Sequence, residues 1–349
     1  MTRHEQALEI LKKGTVIPAN PLALDANRQF DTRRQRALTR HYLDSGVGGI
    51  AVAVHTTQFE IRDPEINLFE PVIRTVSEEI DAYEKSTGKV IVKVAGACGE
   101  CTQAVHEAEL ARTYGYDAVL LSPGGLAHLS EDELVTRTKA VAEVLPVIGF
   151  YLQPSVGGRV FTYDYWARIA EIPGVAAIKA APFNRYLTLD LVRAVALSSR
   201  RDDIALYTGN DDNIVIDLVT CYRFGGPDGP VEKRFVGGLL GHWSVWTRRA
   251  VELFEELKGT PDMARVLTLA NEVTDTNAAF FDTANQFKGC IAGLHEVLRR
   301  QGLLEGIWCL NPEEKLSPGQ LEEIDRVYAM YPQLNDDDFV RKNLAKWLD

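Results

Sequence analysis

Short β-rich runs recur along this chain, and each is followed by a segment with the pattern of an amphipathic helix. Eight runs begin near Thr15, Gly49, Lys89, Asp117, Pro146, Gly174, Ile204 and Phe235. From the third run onward the starts lie about 30 residues apart, which is the length of one strand–helix unit. One of the intervening helices is marked by Ser130 with Glu133 three residues later, the pattern of a capping box. This alternation predicts a parallel sheet whose strands are connected by helices.

Eight strand–helix units in about 250 residues match a (β/α)8 TIM barrel. The alternative is an open doubly wound sheet, which usually carries a glycine-rich phosphate loop after its first strand. Here the first run continues into PANPLALDANRQF, residues 18–30, which contains no such loop. We therefore predict an α/β protein with a barrel and N-terminal helix over residues 1–258. Residues 259–349 are predicted to form a helical C-terminal extension packed on the barrel, and FGGPDGPVEKR, residues 224–234, to form a loop.

The composition of the chain argues against two classes of binding partner, nucleic acids and membranes. The 349 residues carry a formal net charge of −11 without a basic stripe, which argues against a nucleic-acid partner. No apolar run is long enough to span a bilayer, and the N-terminal segment lacks the apolar stretch of a secretory signal. The five cysteines, an odd number without a signal, are typical of reduced thiols in the cytosol. We expect a cytoplasmic protein that binds neither nucleic acid nor membrane.

A lysine interrupts one of the apolar strands. In GVAAIKAAPF, residues 174–183, strand alternation places Lys179 on one face with Val175, Ala177 and Ala181. Burial lowers the pKa of a lysine, and a neutral amine can attack a ketone to form a Schiff base. The alternative is a structural lysine that pairs with a carboxylate or extends out of the end of the barrel. Periodicity alone leaves both readings open.

Two other strand ends carry polar groups that would meet at the same rim of a barrel. Tyr151 ends the fifth run, and a phenol near a Schiff base can transfer protons, although an ordinary packed tyrosine is the alternative. Thr56 and Thr57 end the second run and offer hydroxyls and backbone N–H groups to a carboxylate, with a capped turn as the alternative. Together with the lysine, these residues define a candidate site.

These stretches together resemble the dihydrodipicolinate synthase / N-acetylneuraminate lyase family of class I, Schiff-base-forming aldolases. VHTTQFE is similar to the family's Gly-Thr-Thr-Gly-Glu motif, and the stretch from Tyr151 to Pro154 is similar to its Tyr-x-x-Pro. VAAIKAAP looks like its lysine strand, and YTGNDDN looks like the end of its seventh strand. The resemblance spans roughly residues 10 to 305.

The resemblance implies a lyase that needs no metal or organic cofactor and acts on pyruvate or another 2-oxo acid. It implies that Lys179 forms the Schiff base, that Tyr151 transfers protons, and that the two threonines hold the substrate carboxylate. The remaining predicted substrate contacts are His55, Asp211 and Arg159. His55 is either an additional acid–base group or a hydrogen-bonding residue of the rim. The resemblance also implies a homo-oligomer, either a tetramer or a dimer.

The sequence departs from the synthase pattern at two places. Val156 stands where the synthase has a carboxylate-binding arginine, and SPGGLAHLS, residues 122–130, has no tyrosine at the end of the fourth strand. These departures favour an aldolase or hydro-lyase acting on a sugar acid or another 2-oxo acid. Two alternatives stay open. One is a metal-dependent barrel lyase or hydrolase using the GNDDN aspartates with His55 and His242, and the other is a family member that binds a 2-oxo acid without turnover.

Overall fold

The computed structural model describes residues 1–226, 229–259 and 262–349. Within these residues the strands are β1 (Val16–Pro18), β2 (Gly49–Val52), β3 (Val92–Ala97), β4 (Ala118–Leu121), β5 (Val147–Leu152), β6 (Val175–Ala181), β7 (Ala205–Thr208), β8 (Tyr222–Gly226), β9 (Gly229–Lys233) and β10 (Phe235–Leu240). The α-helices are α1 (Arg3–Lys13), α2 (Thr32–Ser45), α3 (Phe69–Thr87), α4 (Cys101–Thr113), α5 (Glu131–Ala142), α6 (Tyr163–Ala170), α7 (Arg185–Ala196), α8 (Ile214–Val219), α9 (Thr247–Glu256), α10 (Met263–Phe280), α11 (Cys290–Arg300), α12 (Gln320–Met330) and α13 (Asp337–Leu348).

The predicted fold class is confirmed. Eight strands form one sheet in the order β1-β10-β7-β6-β5-β4-β3-β2, and helices separate successive strands along the chain. The eight strands are those that the periodicity predicted, and helices follow them to the C-terminus. The fold is a (β/α)8 barrel with C-terminal helices.

The chain divides into two compact units, and the first comprises Met1–Thr15 and Val92–Leu239. Its strands β3 to β7 pair in sequential order and in parallel. The capping box predicted at the start of α5 is present, since the Glu133 N–H donates to Ser130 Oγ at 3.3 Å and the Ser130 N–H donates to Glu133 Oε2 at 2.7 Å. This reciprocal pair fixes the point at which the chain turns from the β4 loop into helix.

The second unit comprises Val16–Ile91 and Leu240–Asp349. The chain just beyond β1 and the chain within β2 run in parallel, with a bridge between Ala19 and Ala51. The C-terminal helix α13 packs on α2, where the fully buried Trp347 ring lies 5.1 Å from the His41 ring, centroid to centroid. The separation of residues 259–349 as a domain of their own stays a prediction.

The segment predicted to be a loop over residues 224–234 differs from the structure. Residues 227 and 228 lie outside the described residues. The flanking segments form an antiparallel pair, β8 and β9, in register from Tyr222 opposite Lys233 to Gly226 opposite Gly229. Half-buried and exposed residues alternate along both strands, as expected for a hairpin with one face packed on the protein. Gly225, Gly226, Gly229 and Pro230, which suggested a loop, lie within these two strands.

Candidate active site

Lys179 is the fifth of the seven residues of β6, so it lies toward the carboxyl end of the strand. In the sheet it stands beside Phe150 of β5 and Tyr207 of β7. Residues in register on neighbouring parallel strands point to the same side of a sheet. Lys179 therefore shares one face of the first unit with these two aromatic residues.

The glycine of β5 identifies which face this is. A Cβ placed on Gly149 would lie 3.4 Å from Ile178 and 3.7 Å from Ile169, a residue of helix α6. Ile178 and Gly149 therefore face the surrounding helices. Lys179, the next residue along β6, points to the opposite, inner side of the sheet.

The environment of the amine favours its neutral form. The side chain is 8% exposed, and its Nζ lies 4.5 Å from the centroid of the Phe150 ring. Burial lowers the pKa of Lys179 to about 8, while the negative charge of the nearby Asp211 acts in the opposite direction. Asp211 is itself buried. The structure thus brings together two of the predicted site residues, and desolvation is the larger of the two effects on the amine.

Gly209, directly after β7, leaves the space that the lysine side chain occupies. A Cβ at this position would collide with Lys179 Cε and would lie 2.9 Å from Lys179 Cγ and from the Cβ of Ala181. The absence of a side chain is therefore a packing requirement of the lysine. Sequence reasoning noted the TGNDD stretch as a motif without recognising this contact.

A buried hydrogen-bond network fixes the loop that presents Asp211. The fully buried Asp217 of α8 accepts bonds from the Thr208 hydroxyl at 2.7 Å and from the Asn210 side-chain amide at 2.9 Å. Asn210 Oδ1 in turn accepts from the backbone N–H of Phe183 at 3.1 Å. The network ties the chain after β6 to the chain after β7, so both strand ends near Lys179 are held in place.

Tyr151 lies on the strand next to the lysine, as predicted, but on the other face of the sheet. Its partner in register is Ala180, and its ring packs against Trp166 of α6 with centroids 5.1 Å apart. Its hydroxyl oxygen accepts a hydrogen bond from the Phe161 backbone N–H at 3.1 Å. An irregularity in pairing between Val147 and Ile148 sets this register. Phe150, rather than Tyr151, therefore accompanies Lys179 on the inner side.

Arg159 is anchored by the loop that follows β4. Its guanidinium donates to the carbonyl of Leu129 at 2.5 Å and lies 5.5 Å from the centroid of the Phe161 ring. The side chain is half-buried. The contacts described for Arg159 are thus contacts with the loop and with an aromatic ring, and they do not join it to Lys179 or Asp211.

The remaining predicted residues lie in the second unit, where His55–Thr57 form one turn of 3-10 helix after β2. Both threonines are buried. The Thr56 hydroxyl donates to the carbonyl of Ala19 at 2.8 Å, and the Thr57 hydroxyl donates to the carbonyl of Asn20 at 2.7 Å. The two threonines therefore join the ends of β1 and β2, and each has committed its hydroxyl proton to the backbone.

His55 begins the same turn and is half-buried. Its ring lies 5.9 Å from the ring of Phe59, centroid to centroid. The structure therefore places His55 with Thr56 and Thr57 on one loop, as the sequence order required.

A second lysine, Lys93, is also buried, and no sequence motif marked it. It is the second residue of β3 and is 1% exposed. Its backbone N–H donates to Asp117, a carboxylate that also pairs with Arg3 and His4 of α1. Lys93 therefore lies toward the amino end of its strand, whereas barrel enzymes carry their chemistry at the carboxyl ends.

The sequence of the chain matches that of a known protein family. A model of the Dihydrodipicolinate synthetase family matches residues 12–226, which is more than half of the chain. The chain belongs to the dihydrodipicolinate synthetase family. This membership supports a lyase of the class I aldolase type.

Two relatives illustrate the range of the family. The chain is 30% identical over 230 residues to a 4-hydroxy-tetrahydrodipicolinate synthase of Desulforudis audaxviator, covering 65% of this chain and 72% of the relative. It is 23% identical over 312 residues to an N-acetylneuraminate lyase of Citrobacter koseri, covering 88% of this chain and 94% of the relative. The family therefore includes relatives named for two different reactions.

Solved structures agree on the fold. A dihydrodipicolinate synthase from Oceanobacillus iheyensis superposes with a TM-score of 0.75 at 16% identity, covering 95% of this chain and 100% of that one. An N-acetylneuraminate lyase from Fusobacterium nucleatum superposes with a TM-score of 0.71 at 15% identity, covering 92% of this chain and 99% of that one. At these identities the likeness shows a shared fold.

Two properties of the structure concern the predicted partners. None of the helices in the described part of the chain combines the length and the apolar character needed to cross a membrane. In residues 1–226, 229–259 and 262–349, no group of three or more histidine, cysteine, aspartate or glutamate side chains is arranged to hold a metal ion.

Proposed function

We propose that the protein is a Schiff-base-forming lyase that acts on pyruvate or another 2-oxo acid through Lys179. The observation that supports this proposal is a desolvated amine on the inner side of the sheet, toward the carboxyl end of its strand. Family membership supports the same class of chemistry.

The lowered pKa has a direct consequence for reactivity. With a pKa of about 8, about one quarter of the Lys179 amines are neutral at pH 7.5, compared with about 0.1% at an ordinary lysine pKa. The reactive fraction is therefore larger by about two orders of magnitude.

The proposed reaction begins at the carbonyl carbon of the 2-oxo acid. The neutral amine adds to this carbon to give a carbinolamine, which takes up one proton from solvent and loses water, and an iminium ion forms. The iminium withdraws electrons from the neighbouring carbon. It thereby stabilises the carbanion that forms when a C–C or C–H bond to that carbon breaks. Aldol cleavage, condensation and dehydration of a hydroxy 2-oxo acid all pass through such a species.

The strength of the structural evidence differs among the predicted substrate contacts. Asp211 lies close enough to Lys179 to influence its titration, which is consistent with contact to a substrate held there. The loop of His55, Thr56 and Thr57 is proposed to receive the carboxylate. The role of Arg159 as a substrate contact stays a prediction, because none of its described contacts links it to Lys179. The role of Tyr151 in proton transfer also stays a prediction, because its hydroxyl lies on the opposite face of the sheet from the amine.

The substrate, the direction of the reaction, the cytoplasmic location and the homo-oligomeric state, whether dimer or tetramer, belong to the proposal. Val156 in place of an arginine supports a reaction other than that of the synthase. The substrate panel should nevertheless include both reactions for which the relatives are named.

Borohydride trapping tests the proposal. The protein is incubated with pyruvate and sodium borohydride, digested, and searched by mass spectrometry for a reduced adduct. We expect the adduct on Lys179, with the buried Lys93 as an internal control that stays unmodified. An adduct on another lysine, or none across a panel of 2-oxo acids, would refute the assignment. Loss of activity in EDTA would instead support the metal-dependent alternative, and 2-oxo-acid binding without turnover would support the non-catalytic one.

A further inference from the structure

Phe150 presents the face of its ring to the lysine nitrogen. It lies on β5 in register with Lys179 and is 7% exposed. Lys179 Nζ lies over the ring, 4.5 Å from its centroid. The face of an aromatic ring carries partial negative charge and attracts a cation within about 6 Å of the centroid. The geometry is therefore that of a cation–π contact, made to the nitrogen that is proposed to react.

Two other side chains of the same unit are placed near this lysine. Asp211, in the loop after β7, raises the pKa of the amine through its negative charge. Tyr207 stands in register with Lys179 on β7, but its hydroxyl donates to the carbonyl of Leu11 at 2.8 Å, so its polar end is directed toward α1. Burial raises the pKa of the Tyr207 phenol above its usual value, so the phenol stays uncharged. Among these three neighbours, a positive charge on Nζ is therefore stabilised by the carboxylate and by the face of Phe150.

The ring distinguishes a charged nitrogen from a neutral one. A buried cation loses the hydration that stabilises it in water, and the quadrupole of an aromatic ring replaces part of that stabilisation. Such a contact is stronger in a desolvated site than at the surface, whereas a neutral amine gains little from the same ring. The contact with Phe150 therefore acts in proportion to the positive charge on Nζ.

The proposed reaction changes this charge from one starting state and not from the other. When a neutral amine adds to the carbonyl carbon, the carbinolamine takes up one proton from solvent and loses water, so the nitrogen ends as a cation. When the reaction starts from the ammonium, the nitrogen is positive before and after the loss of water. A group that stabilises the cation thus favours iminium formation above the pKa of the amine and has little net effect below it.

We propose that the face of Phe150 stabilises positive charge on the Lys179 nitrogen, both in the ammonium and in the iminium formed with a 2-oxo acid. The second part of this inference rests on the proposed function. Because the ring contacts the reacting nitrogen itself, Phe150 is a catalytic residue for iminium formation. This role differs from the proton transfer predicted for the neighbouring Tyr151.

The test weakens the negative face of the ring while nearly keeping its size. Phe150 is replaced by 3,4,5-trifluorophenylalanine, whose fluorines withdraw electron density from the ring face, and in a second variant the ring is removed by Phe150→Leu. The matched control carries the same fluorinated residue at Phe235, which is buried in the same unit and stands beside Leu206 on the other face of the sheet from the lysine. Thermal melting confirms that each protein is folded.

The first readout is the rate of pyruvate trapping by borohydride at Lys179, with pyruvate below saturation. It is measured at about pH 9.5 and about pH 6.5, on either side of the amine pKa of about 8. A cation–π contact in a desolvated site corresponds to about 30-fold in an equilibrium constant, and part of this acts on the transition state. We therefore expect both Phe150 variants to slow trapping about tenfold at the higher pH and less than about threefold at the lower pH. The fluorinated Phe235 protein should trap pyruvate like the wild type at both.

The second readout needs no substrate. The pKa of Lys179 is measured by NMR from its Cε resonance in protein labelled with carbon-13 lysine, and the resonance is assigned by its loss in Lys179→Met. Weakening the ring face should lower this pKa by about one pH unit, because the ammonium loses stabilisation that the neutral amine never had. The fluorinated Phe235 protein should keep the wild-type pKa.

The outcomes separate this inference from the proposed function. An unchanged pKa of Lys179 in both Phe150 variants overturns the inference. Trapping that slows equally at the two pH values, or at neither, also overturns it, because displacement of the lysine by altered packing does not depend on charge. In these cases trapping at Lys179 in the wild type leaves the function intact. If the wild type traps no 2-oxo acid at Lys179, the function is refuted together with the iminium part of the inference, and a lowered pKa in the variants then supports the contact with the ammonium alone.

Discussion

Replacing Gly209 by alanine tests whether the space around Lys179 determines its reactivity. The new Cβ would collide with Lys179 Cε and would lie 2.9 Å from the Cβ of Ala181. The lysine side chain can rotate away, but Ala181 is fixed by the backbone of β6, so movement of the lysine alone does not relieve the overlap. We expect the amine to be displaced by about 1 Å, a shift that can reduce the rate of a positioned reaction by about 100-fold.

The cost in stability should be smaller than the cost in reactivity. Overpacking of a well-packed site typically costs about 1–3 kcal/mol, and we expect the lower end because one of the two clashing groups is a flexible side chain. The assay is the rate of borohydride-trapped pyruvate adduct at Lys179, with the free energy of unfolding measured in urea on the same preparations.

Gly225→Ala is the matched control, because a Cβ there meets nothing within 4 Å. It should leave both the trapping rate and the stability nearly unchanged. If Gly209→Ala traps pyruvate within threefold of the wild-type rate while remaining folded, then the packing of Gly209 against the lysine is irrelevant to its chemistry. The position of the Lys179 amine would then not account for its reactivity.

Three other predictions follow from the same structure. Asp211→Asn removes the charge that raises the pKa of Lys179, so the pH midpoint of pyruvate trapping should move to lower pH, and an unchanged midpoint would contradict the electrostatic role of the aspartate. Tyr151→Phe should keep trapping within threefold of wild type while lowering the melting temperature, because its ring faces the helices; a loss of 100-fold in turnover would instead restore the proton-transfer hypothesis. Burial lowers the pKa of His41 to about 3, below its unfolded value, so its stabilising contribution is present above pH 6.5 and is lost on acidification. The free energy of unfolding, measured in urea, should therefore decrease from pH 8 to pH 5 by about 2 kcal/mol less in His41→Phe than in the wild type. An equal decrease in the two proteins would show that this histidine is not buried in its neutral form.

The strand–helix rhythm predicted the fold because it depends on local properties. Each of the eight runs is short, apolar and bounded by turn residues, and a parallel sheet is the arrangement that buries such runs on both faces. The capping box at Ser130 could likewise be predicted from the sequence, since its two partners lie three residues apart. The hairpin over residues 222–226 and 229–233 was missed because glycine and proline suggested a loop, whereas cross-strand pairing decided the outcome.

The sequence by itself placed Lys179 on a face lined with small residues, since alternation within one strand needs no tertiary information. It could not place Tyr151 relative to that lysine. The two lie on different strands, and a register slip of one residue between strands reverses which face a side chain takes. The pairing irregularity between Val147 and Ile148 sets that register, and it brings Phe150 to the lysine in place of Tyr151.

The partners of Thr56, Thr57 and Gln58 were also decided by tertiary structure. The threonine motif was visible, but its hydroxyls donate to the end of β1, 37 residues earlier in the chain. The amide of Gln58 is oriented by Leu310, 252 residues later. Local pattern identifies which residues reach a strand end, whereas the direction of each hydrogen bond depends on distant segments that only the folded chain brings together.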